Sequence, residues 1–271
     1  MCSRAICFCD CVTYQEEPML TIQRNLVDVL ASQAADSIVS EIRIGLGYTA
    51  VALESGHAGV AWTPKSDSHS CTHLSGAGSL AGRPASVLLT MLCHQKLPLA
   101  RAVGLATANA LLSLPPHAPA SDDEVIGSLD IGADDHVAMV GYFAPVVAKI
   151  QKSGCRLDII EMNPGRGDTL TPEQGRKALA DCSVAIITAT SLINGTLDEL
   201  VAGLGSPRAA VILGPSTPLC PEAFQGTKIT HLAGARVQDV DAVQRIISEG
   251  GGTMLMKPYL EFVNLPLCLD A

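Results

Sequence analysis

Val137-Ala-Met-Val-Gly-Tyr-Phe143 decides the fold of this 271-residue chain. Four consecutive apolar residues stop at a glycine, and a helical pattern over Ala144–Ser153 follows at once. The same unit recurs downstream. Leu157–Ile160 leads to a helix near Glu173–Leu179, and Val184–Ile187 to one near Leu197–Leu204. Ala210–Leu213 follows, then a helix around Val240–Glu249 and a last strand expected at Thr253–Met256. Continuous apolar runs suit strands covered on both faces, and their alternation with helices implies right-handed crossovers onto a mainly parallel sheet. The expected class is α/β, with a Rossmann-like domain over residues 136–271.

Upstream the texture differs. Leu20, Leu26, Val27, Leu30 and Ala34 recur at helical spacing between Met19 and Ala35. Three strand-like runs, Ile38–Leu46, Thr49–Glu54 and Ala58–Trp62, are joined by Gly47-Tyr48 and Ser55-Gly56-His57, which predicts an antiparallel meander. Helices are expected over Pro84–Gln95 and Leu99–Ser113, the second ended by Pro115-Pro116. A separate α+β domain over residues 19–117 follows, with residues 1–18 a cysteine-containing tail. Residues 118–135, with the acidic run Asp122-Asp123-Glu124, are the candidate linker, and equally suit a packed surface loop with a short helix.

Open α/β sheets bind ligands outside the carboxyl ends of their strands, where strand order reverses. Those ends here carry small or polar clusters: Gly141-Tyr142-Phe143, Glu161-Met162-Asn163-Pro164, Thr188-Ala189-Thr190 and Gly214-Pro215-Ser216. Glycine admits close backbone approach, and the hydroxyls and amide supply orienting hydrogen bonds. Each cluster alone is an ordinary turn; together they predict a rim. Glu161 follows Gly141 by about 20 residues, where many dinucleotide folds place a ribose-binding carboxylate. The phosphate loop that should accompany it is missing, because Gly141 is the one glycine there and Phe143 and Pro145 occupy space a pyrophosphate would need. NAD and ATP therefore fit poorly, whereas a nucleoside-type ligand without pyrophosphate fits. Asn194-Gly195-Thr196 is expected to open a helix, either to receive an anion or as a plain N-cap. Gly250-Gly251-Gly252 is expected to end one and not to open another.

The leading domain would close the site with Gly47, Tyr48 and Thr49, and with Asn109, a lone amide on an Ala/Leu helix. Tyr48 and Tyr142 suit a cleft because each joins an aromatic body to a polar tip; core packing is the competing role. For a divalent heavy metal, His69-Ser-Cys71-Thr-His73 sets three soft or borderline ligands two apart, on one side of an extended strand. Cys7, Cys9 and Cys11 do the same in the tail, but neither set has structural zinc spacing.

Composition bounds the partners. A net charge of −9 argues against nucleic acid and anionic membranes, both of which need clustered Lys and Arg. No apolar run reaches membrane-span length. The ten cysteines are mostly scattered singly through apolar segments, as in a reducing cytoplasmic compartment. The expected partner is a small-molecule ligand, and a homo-oligomer is compatible with the sequence.

Six stretches carry a family likeness. They are Ile44-Gly-Leu-Gly-Tyr-Thr-Ala50, Ser75-Gly-Ala-Gly78, Met139-Val-Gly-Tyr-Phe143, Ile160-Glu-Met-Asn-Pro164, Ile187-Thr-Ala-Thr190 with Asn194-Gly-Thr196, and Leu213-Gly-Pro-Ser-Thr-Pro218. In this order they resemble the heavy-metal-chelation family, a domain of unknown function. The resemblance implies a domain like the N-terminal domain of enolase, then a Rossmann-like domain partly similar to methyltransferases, with the site in the cleft between them. It implies condensation or hydrolysis of flavin-, pterin- or siderophore-type molecules, linked to heavy-metal handling. Enolase activity does not follow, since the chain lacks that enzyme's barrel and magnesium carboxylates. Non-catalytic metal or metallophore binding through His69, Cys71 and His73 is the alternative. S-adenosylmethionine-dependent methyl transfer is a third reading, and a purely structural module a fourth. No motif assigns a catalytic residue.

Overall fold

The computed structural model describes residues 21–65, 73–117, 124–161 and 169–267. Helix α1 (Thr21–Asp36) buries Leu26, Leu30 and Ala34 of the expected stripe together with Ile22, while Val27 is half-buried and Leu20 lies outside the described residues. Its first turn is closed from far away: the N–H groups of Thr21 and Ile22 donate to Asp198 Oδ1 at 3.1 and 3.2 Å. Strands β1 (Val39–Ile44), β2 (Tyr48–Leu53) and β3 (Ala58–Trp62) form the expected antiparallel meander, with Ile44 opposite Thr49 and Tyr48 opposite Trp62.

Every residue of β2 is buried, because both faces of the meander are covered. Val51, Leu53 and Ala61 meet α1, α2 (Ala85–Leu89) and α3 (Pro98–Leu112). Helix α3 crosses β3 so closely that a Cβ on Gly59 would lie 2.1 Å from Ala110 N and 2.4 Å from Ala106 O.

The second sheet begins after the short helix α4 (Val125–Ser128). In chain order follow β4 (His136–Val140), α5 (Ala144–Ile150), β5 (Arg156–Ile160), α6 (Pro172–Asp181), β6 (Val184–Thr188), α7 (Thr190–Asn194), α8 (Leu197–Ala202) and β7 (Ala209–Leu213). The chain ends with β8 (His231–Val237), α9 (Val240–Ser248), α10 (Thr253–Met256) and β9 (Leu260–Pro266). Spatial order is β5-β4-β6-β7-β8-β9, with β4 to β8 parallel and β9 antiparallel to β8. The α/β class holds. Tyr48, Ala50 and Val60, on the other face of the meander, pack with Ala235, Val243, Ile247 and Met256.

Two expectations fail at the C-terminal end. Thr253–Met256 is a helix and not a strand, with Gly252 as its N-cap. Gly250, left-handed at φ +81°, does end α9, but the glycine run also opens α10. The sheet instead gains β8 and β9, which the apolar pattern did not disclose.

One hydrophobic cluster joins the two sheets. Leu26 and Leu30 of α1 and Leu105 of α3 belong with Ile187, Ile212 and Leu232. The opposite sheet face packs Met139, Ile186 and Val211 against Val125, Ile126 and Leu129, so residues just after position 123 cover the sheet. Among the described residues no helix is long and apolar enough to cross a membrane.

The amino ends of β4, β6 and β7 are tied by Asp135. It accepts from Ser183 Oγ at 2.7 Å, from the Arg208 guanidinium at 2.7 Å and from Gly132 N at 3.0 Å. The Arg208 hydrogen bond is the largest cause holding this carboxyl well below its ordinary range. A carboxyl whose folded pKa is depressed stabilises the fold above its unfolded pKa of about 4, and that contribution is lost as pH falls below it. Asp135→Asn should therefore lose about 1–2 kcal/mol at neutral pH and flatten the acid limb between about pH 4 and 2. Urea midpoints measured across pH check this, and parallel curves for the two proteins would refute it.

Candidate functional site

Strand order reverses between β5 and β6, on either side of β4, so the switch point lies at the carboxyl end of β4. Register sets the strand ends side by side: Val140 pairs with Ile160 and Ile187, Thr188 with Leu213, and Leu213 with Ala233. Gly141, Glu161, Thr188 and Gly214 therefore share one edge of the sheet.

Gly141 sits at φ +89°, and its N–H donates to Ile160 O at 2.9 Å. A Cβ there would meet the Thr188 side chain at 3.1 Å, so the backbone conformation and the neighbour both require glycine. Thr188 Oγ1 lies 3.0 Å from Thr190 Oγ1 and accepts from Thr190 N at 3.3 Å. Ser191 Oγ donates back to Thr188 O at 2.7 Å. The result is a half-buried hydroxyl pair beside a bare backbone turn. Gly214 is also left-handed, at φ +125°. The Phe143 ring lies 3.6 Å from the Cβ position of Gly141 and 3.9 Å from that of Gly214. It spans the rim and narrows it. Tyr142 is half-buried against the cluster beneath the sheet, and Glu161 is half-buried one strand away from Gly141.

The remaining expected residues lie elsewhere. Asn109, 8% exposed, donates both amide hydrogens, to Val60 O at 2.9 Å and Ser216 O at 3.2 Å. Ser216 Oγ accepts from Trp62 N at 2.9 Å. Asn109 and Ser216 thus clasp β3 to the loop after β7, with Pro215 between that clasp and Gly214. Gly47 and Tyr48 pack on the α9–α10 connection: a Cβ on Gly47 would lie 3.4 Å from Gly251 O, and Tyr48 OH is 2.7 Å from Thr253 Oγ1. Burial pushes the Tyr48 phenol up from its ordinary value. Thr49 Oγ1 is buried against Thr63 Oγ1 at 2.9 Å.

Asn194-Gly195-Thr196 does not open a helix at its asparagine. Asn194 ends α7, Gly195 caps it at φ +76°, and Thr196 precedes α8. The first turn of α8 already carries Asp198 and Glu199, which complement the positive helix end. Asn163, His69 and Cys71 lie outside the described residues, and His73 is exposed. Among the described residues no three His, Cys, Asp or Glu side chains are grouped to hold a metal.

Sequence reading missed Arg101, whose signal was a lone cation on the Ala/Leu helix. It is 5% exposed and donates to Ile193 O in α7, and to His94 O and Gln95 O at 2.8 and 2.9 Å. No carboxylate is among these partners, and burial lowers its pKa. Arg101 fixes α7, which begins at Thr190 on the rim.

The same architecture occurs in known proteins. A solved structure of a DUF364 protein of unknown function from Pyrococcus horikoshii superposes with TM-score 0.80 at 21% identity, covering 91% of this chain and 100% of that one. A second, from Desulfitobacterium hafniense, gives 0.78 at 23% identity over 92% and 98%. At these identities the likeness shows the fold. An uncharacterized protein of Methanocaldococcus jannaschii is 28% identical over 163 residues, 58% of this chain and 62% of that protein, so the match spans less than two thirds of its length. A family model described as "Putative heavy-metal chelation" matches residues 27–112, and the DUF364 model, with the same description, matches residues 124–266. With more than half of its length inside that second match, the chain belongs to the DUF364 family.

Proposed function

We propose that the chain binds a small organic molecule at the switch-point rim, and that its link to heavy metals runs through a ligand that itself chelates. One observation carries this reading: at the strand-order reversal the left-handed Gly141 turn lies against the Thr188 side chain, whose hydroxyl pairs with that of Thr190. Glu161, on the adjoining strand end, would accept from a ligand hydroxyl or ring N–H. The Phe143 ring offers a flat apolar face and occupies room that a pyrophosphate needs. A pterin, flavin or siderophore-type fragment combines these features, being partly planar and edged with donors and acceptors. Condensation or hydrolysis of such a molecule is the proposed reaction class. The cytoplasm is the proposed compartment.

Thermal-shift measurements with pterin, riboflavin, catechol, adenosine, S-adenosylmethionine and divalent metals alone test the proposal. Pterin, riboflavin or catechol should raise Tm, since ligand at 100 times its Kd adds about 2.7 kcal/mol. Thr188→Val removes one hydroxyl at nearly constant volume and should weaken binding about tenfold, while Gly141→Val should abolish it. Stabilisation by metal alone would favour direct metal binding. A response confined to S-adenosylmethionine would favour methyl transfer. No response to any probe would end the proposal.

A further inference from the structure

Four large apolar side chains stand in water at one corner of the molecule. Leu46, in the β1–β2 turn, is 82% exposed and Ile44 before it 45%; Met254 and Leu255 on α10 are 77% and 63% exposed. They form one surface. The Leu46 side chain reaches within 3.1 Å of the Cβ position of Gly250, and that of Leu255 within 3.3 Å of the Cβ position of Gly251. Tyr48 OH holds α10 in place through Thr253, so the two projecting side chains sit on an anchored helix.

Beside them runs an open groove of about 380 Å³, lined by Ile44, Leu46, Ile247 and Gly250 among others. We propose that two copies of the chain associate through this corner. A two-fold contact sets one patch against itself, so the patch must carry both a projection and a recess. Met254 and Leu255 supply the projection, and the groove after Ile44 the recess.

The size is adequate. The four side chains expose on the order of 500 Å² per copy, so a pair would bury about 1,000 Å² before any rim atoms, the lower bound for a specific contact. The rim carries both signs, since Arg43 donates to Ser248 Oγ next to Glu249 in the groove lining, so a self-facing patch is not repelled by its own charge. The chain's overall charge of −9 opposes association elsewhere on its surface.

Sedimentation equilibrium of the full chain decides the matter. The wild type should reach twice the monomer mass by about 100 μM, with a Kd in the micromolar range. Leu255→Glu should weaken association at least 100-fold with an unchanged melting curve. Met254→Lys, at a more exposed position, provides the same reading if the first variant folds poorly. Val87→Glu, at an exposed apolar position on α2, should leave the dimer intact. A wild type that stays monomeric would overturn the proposal, as would a dimer that survives both α10 variants. Monomeric protein that co-sediments with phosphatidylcholine vesicles would overturn it in favour of a lipid surface.

Discussion

Gly59→Ala is expected to destabilise the protein by more than about 3 kcal/mol, enough to lower Tm by roughly 10 °C in a chain of this size. The added methyl would lie 2.1 Å from Ala110 N and 2.4 Å from Ala106 O, and both are helix backbone. A flexible side chain could turn aside, but α3 can yield only by moving away from β3. That movement would strain the Asn109 hydrogen bonds to Val60 and Ser216 and open the densest contact in the leading layer. Thermal and urea melts of the variant check the expectation. A loss below about 1 kcal/mol would show that α3 shifts at little cost.

Arg101→Met should cost about 2 kcal/mol, because one buried and two partly buried carbonyls lose their donor together. Replacing a buried ion pair by hydrocarbon can be neutral, since both charges leave. Here the partners are neutral oxygens that stay behind. Arg101→Lys keeps the charge but cannot span the carbonyls of α7 and of the turn before α3, so it should recover only part of the loss. Ligand binding should also weaken in both variants, through displacement of α7 and Thr190. Stability equal to wild type in Arg101→Met would mean that water already serves these oxygens.

The sequence disclosed elements whose local pattern agrees with their final place. The meander was legible because Gly47 and Ser55-Gly56 punctuate three β-rich runs, and strands β4 to β7 because their continuous apolar runs alternate with helical patterns. Strand β8 was hidden: His-Leu-Ala-Gly-Ala-Arg-Val has weak strand preference. Gly234 is small there because the Thr217 carbonyl comes within 2.8 Å of its Cβ position. Thr253–Met256 was misread because a short, largely apolar run fits a strand or a buried helical turn equally well.

The strand-end rim was legible for the same reason as the strands. The fates of Asn109, Ser216 and Tyr48 were not. Each polar group finds its partner 49 to 205 residues away, and no local pattern encodes such a pairing. A polar residue in a promising place is open to a ligand only if the fold has not already assigned it.

The carboxylate of Asp198 that closes the first turn of α1 has a consequence for biogenesis. It is made 177 residues after Thr21, roughly 10–30 s later at ordinary translation rates. Until then the first turn of the emerging amphipathic segment has no terminal acceptor. The apolar stripe of α1 can pack on α2 and α3 early, but the closing of its first turn must wait for the distal half of the chain.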